Sequence, residues 1–233
     1  MNQSARTLPR AVDLCLAGTG LILLTPLMLA IAVAIAATSG RPVFFSQVRL
    51  GRDREPFRIH KFRTLDPDGA GEDEIAPEGD PRVTRIGGWL RHTRLDELPQ
   101  LYDVLRGAMA LVGPRPETRA NLSAVDDEQV DRWLSVRPGV TGPTQLAFIA
   151  ADELLREFAN PTQTYRHVLV PAKAAHGIEW LATRTLAGDL AVLPQTLVVL
   201  ASRRARLRSR RHIEALLREA GASRGVASRP PSR

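Results

Sequence analysis

The strongest constraint on this chain is an apolar segment, residues 14–38, that contains no charged side chain. Its residues are nearly all Leu, Ile, Val, Ala or Gly. About 20 such residues suffice for a helix to cross the hydrocarbon core of a bilayer. A helix on the surface of a soluble protein needs a polar face, and this segment has none. We therefore predict a membrane-inserted helix, because the run is also too long for the apolar region of a cleaved signal peptide.

Two details of the segment and its flanks indicate how it enters the membrane. Pro26 removes one backbone donor and clashes with the preceding turn, so we expect a helix break at Thr25 and Pro26. The Thr25 hydroxyl is placed to donate to a carbonyl of that turn. Cytoplasmic ends attract arginine, and arginines lie on both sides of the segment: Arg6, Arg10, Arg41, Arg49, Arg52 and Arg54. This pattern favours a re-entrant helix with both ends on one face, and a straight, mildly kinked span remains the alternative.

Charge is concentrated at the C-terminal end of the chain. The formal net charge is +7, but ten arginines and two glutamates from Arg203 onward carry +8, which leaves −1 for the rest. The folded body therefore need not bind nucleic acid. The Gly, Ser, Pro and Arg content of the end predicts disorder after an amphipathic piece with Ile213, Leu216 and Leu217. The single cysteine, Cys15, excludes an intramolecular disulfide and a cysteine-based metal site.

The pattern after residue 40 predicts a mainly helical α/β fold with little sheet. Residues 57–63 alternate weakly like a strand, and residues 66–81 resemble a mobile acidic loop. Residues 85–107 have helical spacing with Gly107 as a stop, and residues 153–201 have helical segments. We divide the chain into a membrane helix (1–40), a folded domain (41–202) and a basic, disordered tail (203–233).

Asp96 and Glu97 stand where a helix is expected to begin, because Pro99 is best tolerated in a first turn. Negative charge is favoured at such an end, and phosphate groups bind there readily. Simple capping of the helix explains the two carboxylates equally well. A glycosidase pair is disfavoured, because neighbouring helical residues diverge by about 100° and cannot easily flank one glycosidic bond.

Four cationic side chains are candidates to bind an anion near these carboxylates: Lys61, Arg63, Arg91 and Arg115. Prolines at 114 and 116 restrict the backbone of Arg115, which preorganises its guanidinium for an oxyanion. Taken singly, each is equally well explained as a solvated surface cation. The chain has no GxGxxG or GxxxxGK[ST] nucleotide motif, and its five histidines lack metal-ligand spacing.

The order of motifs resembles the bacterial sugar transferases, specifically the monotopic phosphoglycosyl transferases, over residues 9–200. The motifs are Arg10 and Asp13 before the apolar segment, then residues 40–51, 61–64, 80–87, 96–100 (DELPQ), 111–117 (LVGPRPE) and 137–142 (RPGVTG). The resemblance implies transfer of a phospho-sugar from a UDP-sugar to undecaprenyl (polyprenyl) phosphate with release of UMP. This reaction initiates the synthesis of exopolysaccharide, O-antigen, capsule or glycoconjugates.

The same resemblance assigns roles to residues by motif. Asp96 would be the nucleophile that forms an aspartyl-phosphate sugar intermediate, Glu97 its dyad partner, and Mg²⁺ the cofactor bound near Asp96. Lys61, Arg63, Arg91 and Arg115 would support the dyad or hold phosphates, which makes residues 41–202 the catalytic domain. The implied location is the bacterial inner membrane, with this domain on the cytoplasmic face and membrane lipid in contact. No nucleic-acid partner is expected, and homodimerisation stays open.

Some positions depart from the family pattern. Ala108 and Ala110 stand where Asp and Ser are usual, Asp103 stands where Asn is common, and Thr25-Pro26 replaces Ser-Pro. The non-enzymatic rival is a catalytically silent membrane anchor whose Arg-rich tail binds anionic lipid or nucleic acid. An intact dyad with phosphate-side cations argues against this rival, since a tether needs neither. If the tail lies outside the catalytic unit, its deletion from Arg203 onward leaves chemistry intact.

Overall fold

A computed structural model of the protein describes residues 8–66 and 75–221, and within these it is mainly helical with two small sheets. This confirms the predicted fold class. The helices are α1 (Arg10–Ser39), α2 (Arg85–Thr93), α3 (Gln100–Arg106), α4 (Arg119–Leu122), α5 (Asp127–Trp133), α6 (Pro143–Ala147), α7 (Ala151–Leu155), α8 (Pro161–Thr164), α9 (Val170–Thr183), α10 (Leu186–Ala201) and α11 (Arg203–Glu219). The strands are β1 (Phe44–Leu50), β2 (Pro56–Phe62), β3 (Ala110–Val112) and β4 (Gly139–Thr141).

The two sheets hold the segments that carry the candidate residues. β1 and β2 form an antiparallel hairpin in which Phe44 pairs with Phe62 and Leu50 with Pro56. The predicted strand over residues 57–63 is therefore confirmed. β3 and β4 pair in parallel across 26 intervening residues, so the motifs at residues 111–117 and 137–142 lie side by side.

α1 is the one helix, among the described residues, that is long and apolar enough to cross a membrane by itself. Its middle is bare: Ile22, Leu23 and Val33 are 76%, 72% and 68% exposed. The Thr25 hydroxyl donates to the Leu21 carbonyl at 2.6 Å, as the sequence predicts. The helix continues through Pro26, because proline removes only one donor. The predicted break therefore does not interrupt the helix, and a bend there stays a prediction.

The two ends of α1 contact the same folded body. At the N-terminal end, the Arg10 guanidinium donates to the Val104 and Leu105 carbonyls, which lie in the last turn of α3. Carbonyls at a helix end lack intrahelical partners, so a cation satisfies them well. Asp13 is buried and accepts a bond from the Leu111 amide at 3.0 Å. This end of α1 is thus fixed to α3 and β3.

The C-terminal end of α1 is held by Arg63, the residue after β2. Its guanidinium donates to the Ser39 and Gly40 carbonyls, which end α1. Nearby, the buried Ile31 and Ile35 of α1 pack with Phe62 and Leu90 in one apolar cluster. Both ends of a 30-residue helix, about 45 Å long at 1.5 Å per residue, are therefore tied to one body.

The predicted helix over residues 85–107 is divided into two. α2 ends at Thr93, a 3₁₀ turn covers Leu95–Glu97, and α3 starts at Gln100, not at Asp96 as predicted. The reason is Arg94, whose φ of 59° is left-handed and ends the hydrogen-bonding ladder of α2. Gly107, with φ 88°, terminates α3 as predicted.

The largest apolar cluster gathers residues from α5, α7, α9 and α11 around Trp133, which is fully buried. α11 corrects the prediction of a disordered tail for Arg203–Glu219: Ile213 and Leu217 are buried in this cluster. Ser209 accepts from the Ala150 amide and donates to the Ala147 carbonyl. Residues 222–233 of that predicted tail lie outside the described residues, as do residues 67–74 of the predicted acidic loop.

α11 therefore belongs to the folded domain, and its deletion is expected to destabilise it. The arginines of α11 divide by face: Arg206 and Arg210 pair with Glu153 and Glu157 of the body at 3.1 and 2.6 Å. Arg204, Arg208 and Arg211 are exposed on the opposite face. We therefore no longer expect truncation at Arg203 to leave the chemistry intact; we expect it to unfold the domain.

We expect Ile213→Ala to lower the free energy of unfolding by about 3 kcal/mol, because it leaves a cavity at a fully buried position. Thermal unfolding in detergent measures this. Ala215→Ser, on the exposed face of the same helix, is the matched control and should melt like the wild type. Equal melting of both variants would show that α11 is not docked.

Candidate active site

Asp96 and Glu97 lie on the short 3₁₀ turn between α2 and α3, and both are buried. The left-handed backbone of Arg94 turns the chain so that the two carboxylates point inward, away from solvent. Left-handed conformations are costly for non-glycine residues and persist where surrounding structure holds them. The turn is therefore a fixed feature of the site.

Glu97 is the centre of a cationic cluster. Its Oε1 lies 2.8 Å from Lys61 Nζ on β2, 3.2 Å from Arg115 Nη1 and 3.8 Å from Arg94 Nη1. Burial alone would raise the pKa of Glu97, but these three charges hold it well below the usual value for glutamate. Glu97 is therefore an ionised anchor for three cations.

Asp96 has a different environment from its neighbour. Its Oδ2 is 3.9 Å from Lys61 Nζ, and its buried Oδ1 has no hydrogen-bond partner among the described residues. Burial raises the pKa of Asp96; Lys61 opposes this shift and the charge of Glu97 adds to it. A buried carboxylate oxygen without a partner is available to a ligand or to a reacting atom.

The predicted Mg²⁺ site is at Asp96. Among the described residues, no cluster of three or more His, Cys, Asp or Glu is arranged for a metal. Mg²⁺ is commonly bound through one or two carboxylates, with water and substrate phosphates completing its octahedron. The free Oδ1 of Asp96 fits that mode, so the site suits a cation that arrives with a phosphate substrate.

The loop that carries Arg115 is built on backbone contacts between β3 and β4. The Gly113 amide donates to the Thr141 carbonyl at 3.0 Å, and the Gly139 amide donates to the Pro114 carbonyl at 2.9 Å. A Cβ on Gly139 would overlap the Gly113 backbone, so only glycine permits this approach. The Arg115 backbone is thereby fixed, and the charge of Glu97 raises the pKa of its guanidinium despite burial.

The other two predicted cations lie farther from the dyad. Arg91 donates to the Ala76 carbonyl and is 3.6 Å from Asp152. Arg63 binds the end of α1, while its Nε and Nη1 are buried without partners among the described residues. Both line the cavity that contains Asp96. Lys61 and Arg115 thus meet the dyad directly, and phosphate binding by all four stays a prediction.

Two cavities meet at the dyad. The larger, about 430 Å³, is lined by Asp96, Lys61, Gln47, Asn121 and other polar groups. The smaller, about 240 Å³, includes Glu97 and continues along apolar side chains. Four residues line both cavities: Arg94, Arg115, Asp152 and Tyr165. These four residues therefore lie between a more polar cavity and a more apolar one.

A buried network behind Arg115 was missed by the sequence analysis. The Tyr165 hydroxyl donates to Glu117 Oε1 at 2.6 Å, and Lys173 Nζ donates to that hydroxyl at 3.0 Å. Burial lowers the pKa of Lys173 to about 8, with Glu117 opposing that shift. One signal was present: Lys173 shares a helix face with Val170, Ala174 and Gly177, which are buried. A lysine on such a face needs a partner.

The departures from the family pattern fall in structural positions. Asp103 accepts bonds from the His60 amide at 2.9 Å and from its ring Nδ1 at 2.6 Å, which fastens α3 to β2. Ala108 and Ala110 are not among the described residues that line the two cavities. Their replacement of polar residues therefore leaves the cavity walls unchanged.

We expect Glu97→Gln to destabilise the fold by about 3 kcal/mol, because three partly buried cations lose their counter-charge. Thermal unfolding in detergent measures the loss. Asp131→Asn is the control: it removes an exposed partner of Arg54 and should leave the melting temperature unchanged. A Glu97→Gln protein as stable as wild type would mean that the cations do not depend on this carboxylate.

Comparisons with known proteins identify the family of this chain. The sequence pattern of the bacterial sugar transferase family matches residues 4–203. The chain is 43% identical over 151 residues to a UDP-N-acetylgalactosamine-undecaprenyl-phosphate N-acetylgalactosaminephosphotransferase of Aeromonas hydrophila, covering 61% of this chain and 35% of that protein. It is 40% identical over 151 residues to the UDP-glucose:undecaprenyl-phosphate glucose-1-phosphate transferase of Escherichia coli K12, covering 60% and 31%.

A third relative matches over a longer stretch. The UDP-glucose:undecaprenyl-phosphate glucose-1-phosphate transferase of Caulobacter vibrioides is 38% identical over 191 residues, 80% of this chain and 67% of that protein. The chain spans about a third of the length of the first two relatives. Since the family pattern covers all of the elements from α1 to α10, this chain belongs to the bacterial sugar transferase family.

Proposed function

We propose that the protein transfers a sugar 1-phosphate from a UDP-sugar to undecaprenyl (polyprenyl) phosphate and releases UMP. Asp96 is the observation that carries the proposal: a buried carboxylate with an unpartnered oxygen lines a polar cavity ringed by cations. The names of the relatives describe this reaction with different sugars, so the sugar is left unassigned. The product would begin the assembly of a surface polysaccharide or glycoconjugate.

The proposed chemistry has two displacements at one phosphorus atom. An Asp96 carboxylate oxygen attacks the β-phosphorus of the UDP-sugar, and the bond to the bridging oxygen breaks, so that UMP leaves with that oxygen. A phosphate oxygen of the lipid then attacks the same phosphorus. The acyl-phosphate bond breaks, Asp96 regains its carboxylate, and a lipid diphosphate sugar is formed. No net proton transfer is needed, and covalent catalysis divides one difficult transfer into two.

The residues around Asp96 fit this scheme. Lys61, between both carboxylates, reduces the repulsion that an anionic phosphate meets on approach. Glu97 holds Lys61 and Arg115 in place and stays ionised, so it does not compete as a proton donor. Mg²⁺, held by Asp96 and the donor phosphates, would neutralise charge on the transferring group. A tether without catalysis requires none of these buried contacts.

We infer the membrane arrangement from the two fixed ends of α1. A bilayer core is about 30 Å thick, so one folded body on one face cannot hold both ends of a spanning helix. Arg10 and Arg63 hold both ends of α1 against the same body, which supports a re-entrant arrangement in which α1 enters and leaves the bilayer on one side. The folded domain then lies on the cytoplasmic face of the inner membrane, where nucleotide sugars are dissolved.

We expect Asp96→Asn to abolish UMP release from a UDP-sugar and to prevent a covalent phospho-sugar adduct, because an amide is not a nucleophile here. Mass spectrometry of the intact protein detects the adduct, and a UMP assay with Mg²⁺ measures turnover. Asp53→Asn is the control, since this exposed residue has φ 56°, a conformation that asparagine tolerates. Retained turnover in Asp96→Asn would refute the nucleophile.

We expect both ends of α1 to react with a membrane-impermeant maleimide from the cytoplasmic side. The variants Ala11→Cys and Arg41→Cys, each in a Cys15→Ser background, place one exposed thiol at each end. Labelling of inverted vesicles and of intact spheroplasts measures the side. Labelling of the two positions from opposite sides would establish a spanning helix and refute the re-entrant arrangement.

A further inference from the structure

The smaller cavity has an unusual combination of surfaces. Leu101, Leu146, Leu197 and Leu200 form its apolar walls, and three cations also line it: Arg94 and Arg115 beside Glu97, and Lys173 beside Tyr165. A nucleotide sugar is polar along its whole length, so such walls do not suit it. A ligand with a charged head and a long hydrocarbon chain matches both surfaces.

The apolar end of this cavity reaches the surface that faces lipid in the proposed arrangement. Leu197 lines the cavity and is also 70% exposed. Leu190 and Val198 of the same helix are 47% and 66% exposed. Asp189 is the only charged residue of α10, and it is buried against Arg184. The outer surface of α10 therefore carries no charge that would repel a hydrocarbon chain.

α1 lies next to one wall of this cavity. Leu101, a wall residue, is the side chain that a Cβ added to Gly20 on the apolar helix would contact, at 3.4 Å. Gly20 stands in the part of α1 next to Ile22 and Leu23, which are exposed. The cavity is thus bordered by α10 and lies next to α1 through Leu101, and we expect a chain that leaves it past Leu197 to enter the bilayer without crossing water.

Two cations that line the smaller cavity, Lys173 and Arg94, are available to bind an anion. Lys173 Nζ donates to the Tyr165 hydroxyl, which uses one of the three donors of an ammonium group. Lys173 is 5% exposed, so an anionic ligand bound beside its ammonium group would offset the cost of burying that charge. Arg94 lines both cavities and reaches Glu97 only at 3.8 Å.

We propose that the smaller cavity is the acceptor subsite, with Lys173 and Arg94 as ligands of the lipid phosphate. The hydrocarbon chain lies along Leu101, Leu146 and Leu200 and leaves past Leu197 into the bilayer. This inference rests on the proposed function, and it explains why the dyad stands between two cavities. Asp96 lines the donor side, while Glu97 and the shared cations line the acceptor side. In the second displacement the lipid phosphate takes the position that UMP has left, opposite the Asp96 oxygen, and it reaches that position from the smaller cavity past the shared residues Arg94 and Arg115.

The test separates the two half-reactions. Leu200→Trp fills the apolar wall, and Leu190→Trp places the same side chain on the outer surface of the same helix as a matched control. UMP release and adduct formation are measured without acceptor, and transfer to undecaprenyl phosphate is then measured over a range of acceptor concentrations. We expect Leu200→Trp to raise the acceptor KM at least about tenfold with the first half-reaction unchanged, and Leu190→Trp to match wild type.

A second pair of variants tests the charged end. Lys173→Met should raise the acceptor KM with little change in the UDP-sugar KM, and Lys173→Arg should restore part of the loss because it keeps the charge. If a variant at position 200 fails to form adduct, this pair decides the question. An acceptor KM equal to wild type in Leu200→Trp, or in Lys173→Met, overturns the inference and leaves the proposed function standing. Absence of adduct and UMP in the wild-type protein overturns the proposed function itself.

Discussion

The ion cluster around Glu97 is the interaction on which the rest of the site depends. One carboxylate joins Lys61 of β2, Arg94 of the turn and Arg115 of the β3–β4 loop, three segments that are far apart in the chain. Buried charges are costly unless they are paired, so none of these cations would stay at the site alone. Because Glu97 neutralises them, Asp96 is left with an oxygen that no other described group occupies. The division of labour between two adjacent carboxylates follows from their different partners.

The anchoring of α1 links this cluster to the membrane. Arg10 binds the end of α3, the helix that follows the dyad, and Arg63 extends β2, the strand that carries Lys61. Arg10 and Arg63 therefore each contact or extend an element that also lies beside the two carboxylates. In the proposed arrangement, a helix with an exposed apolar middle and two fixed ends places the turn that carries Asp96 and Glu97 close to the bilayer surface. The exposed apolar face of α10 extends the same surface on the other side of the smaller cavity.

Part of the fold and of the site was predictable because the signals are local. The strand over residues 57–63, the stop at Gly107 and the non-helical segment around Arg115 each follow from the residues present. The start of α3 could not be predicted from the sequence, because the left-handed turn at Arg94 is held by contacts with residues distant in the chain. The sequence predicts a disordered tail over Arg203–Glu219 because ten arginines lie between Arg203 and Arg233, and such charge density is typical of solvated segments. Its docking depends on Ile213 and Ser209 meeting α6 and α7.

The long apolar segment, the family and the two adjacent carboxylates follow from the residues alone, because an uncharged run and short rare strings are complete within a few neighbouring positions. Tertiary packing determines which cations reach those carboxylates, since Lys61 and Glu97 are 36 residues apart and Arg115 and Glu97 are 18 apart. It also decided that Lys173 and Tyr165, from the other end of the domain, stand behind Arg115. Distances of this kind are set by long-range packing of β-strands, loops and helices, and no local pattern encodes them.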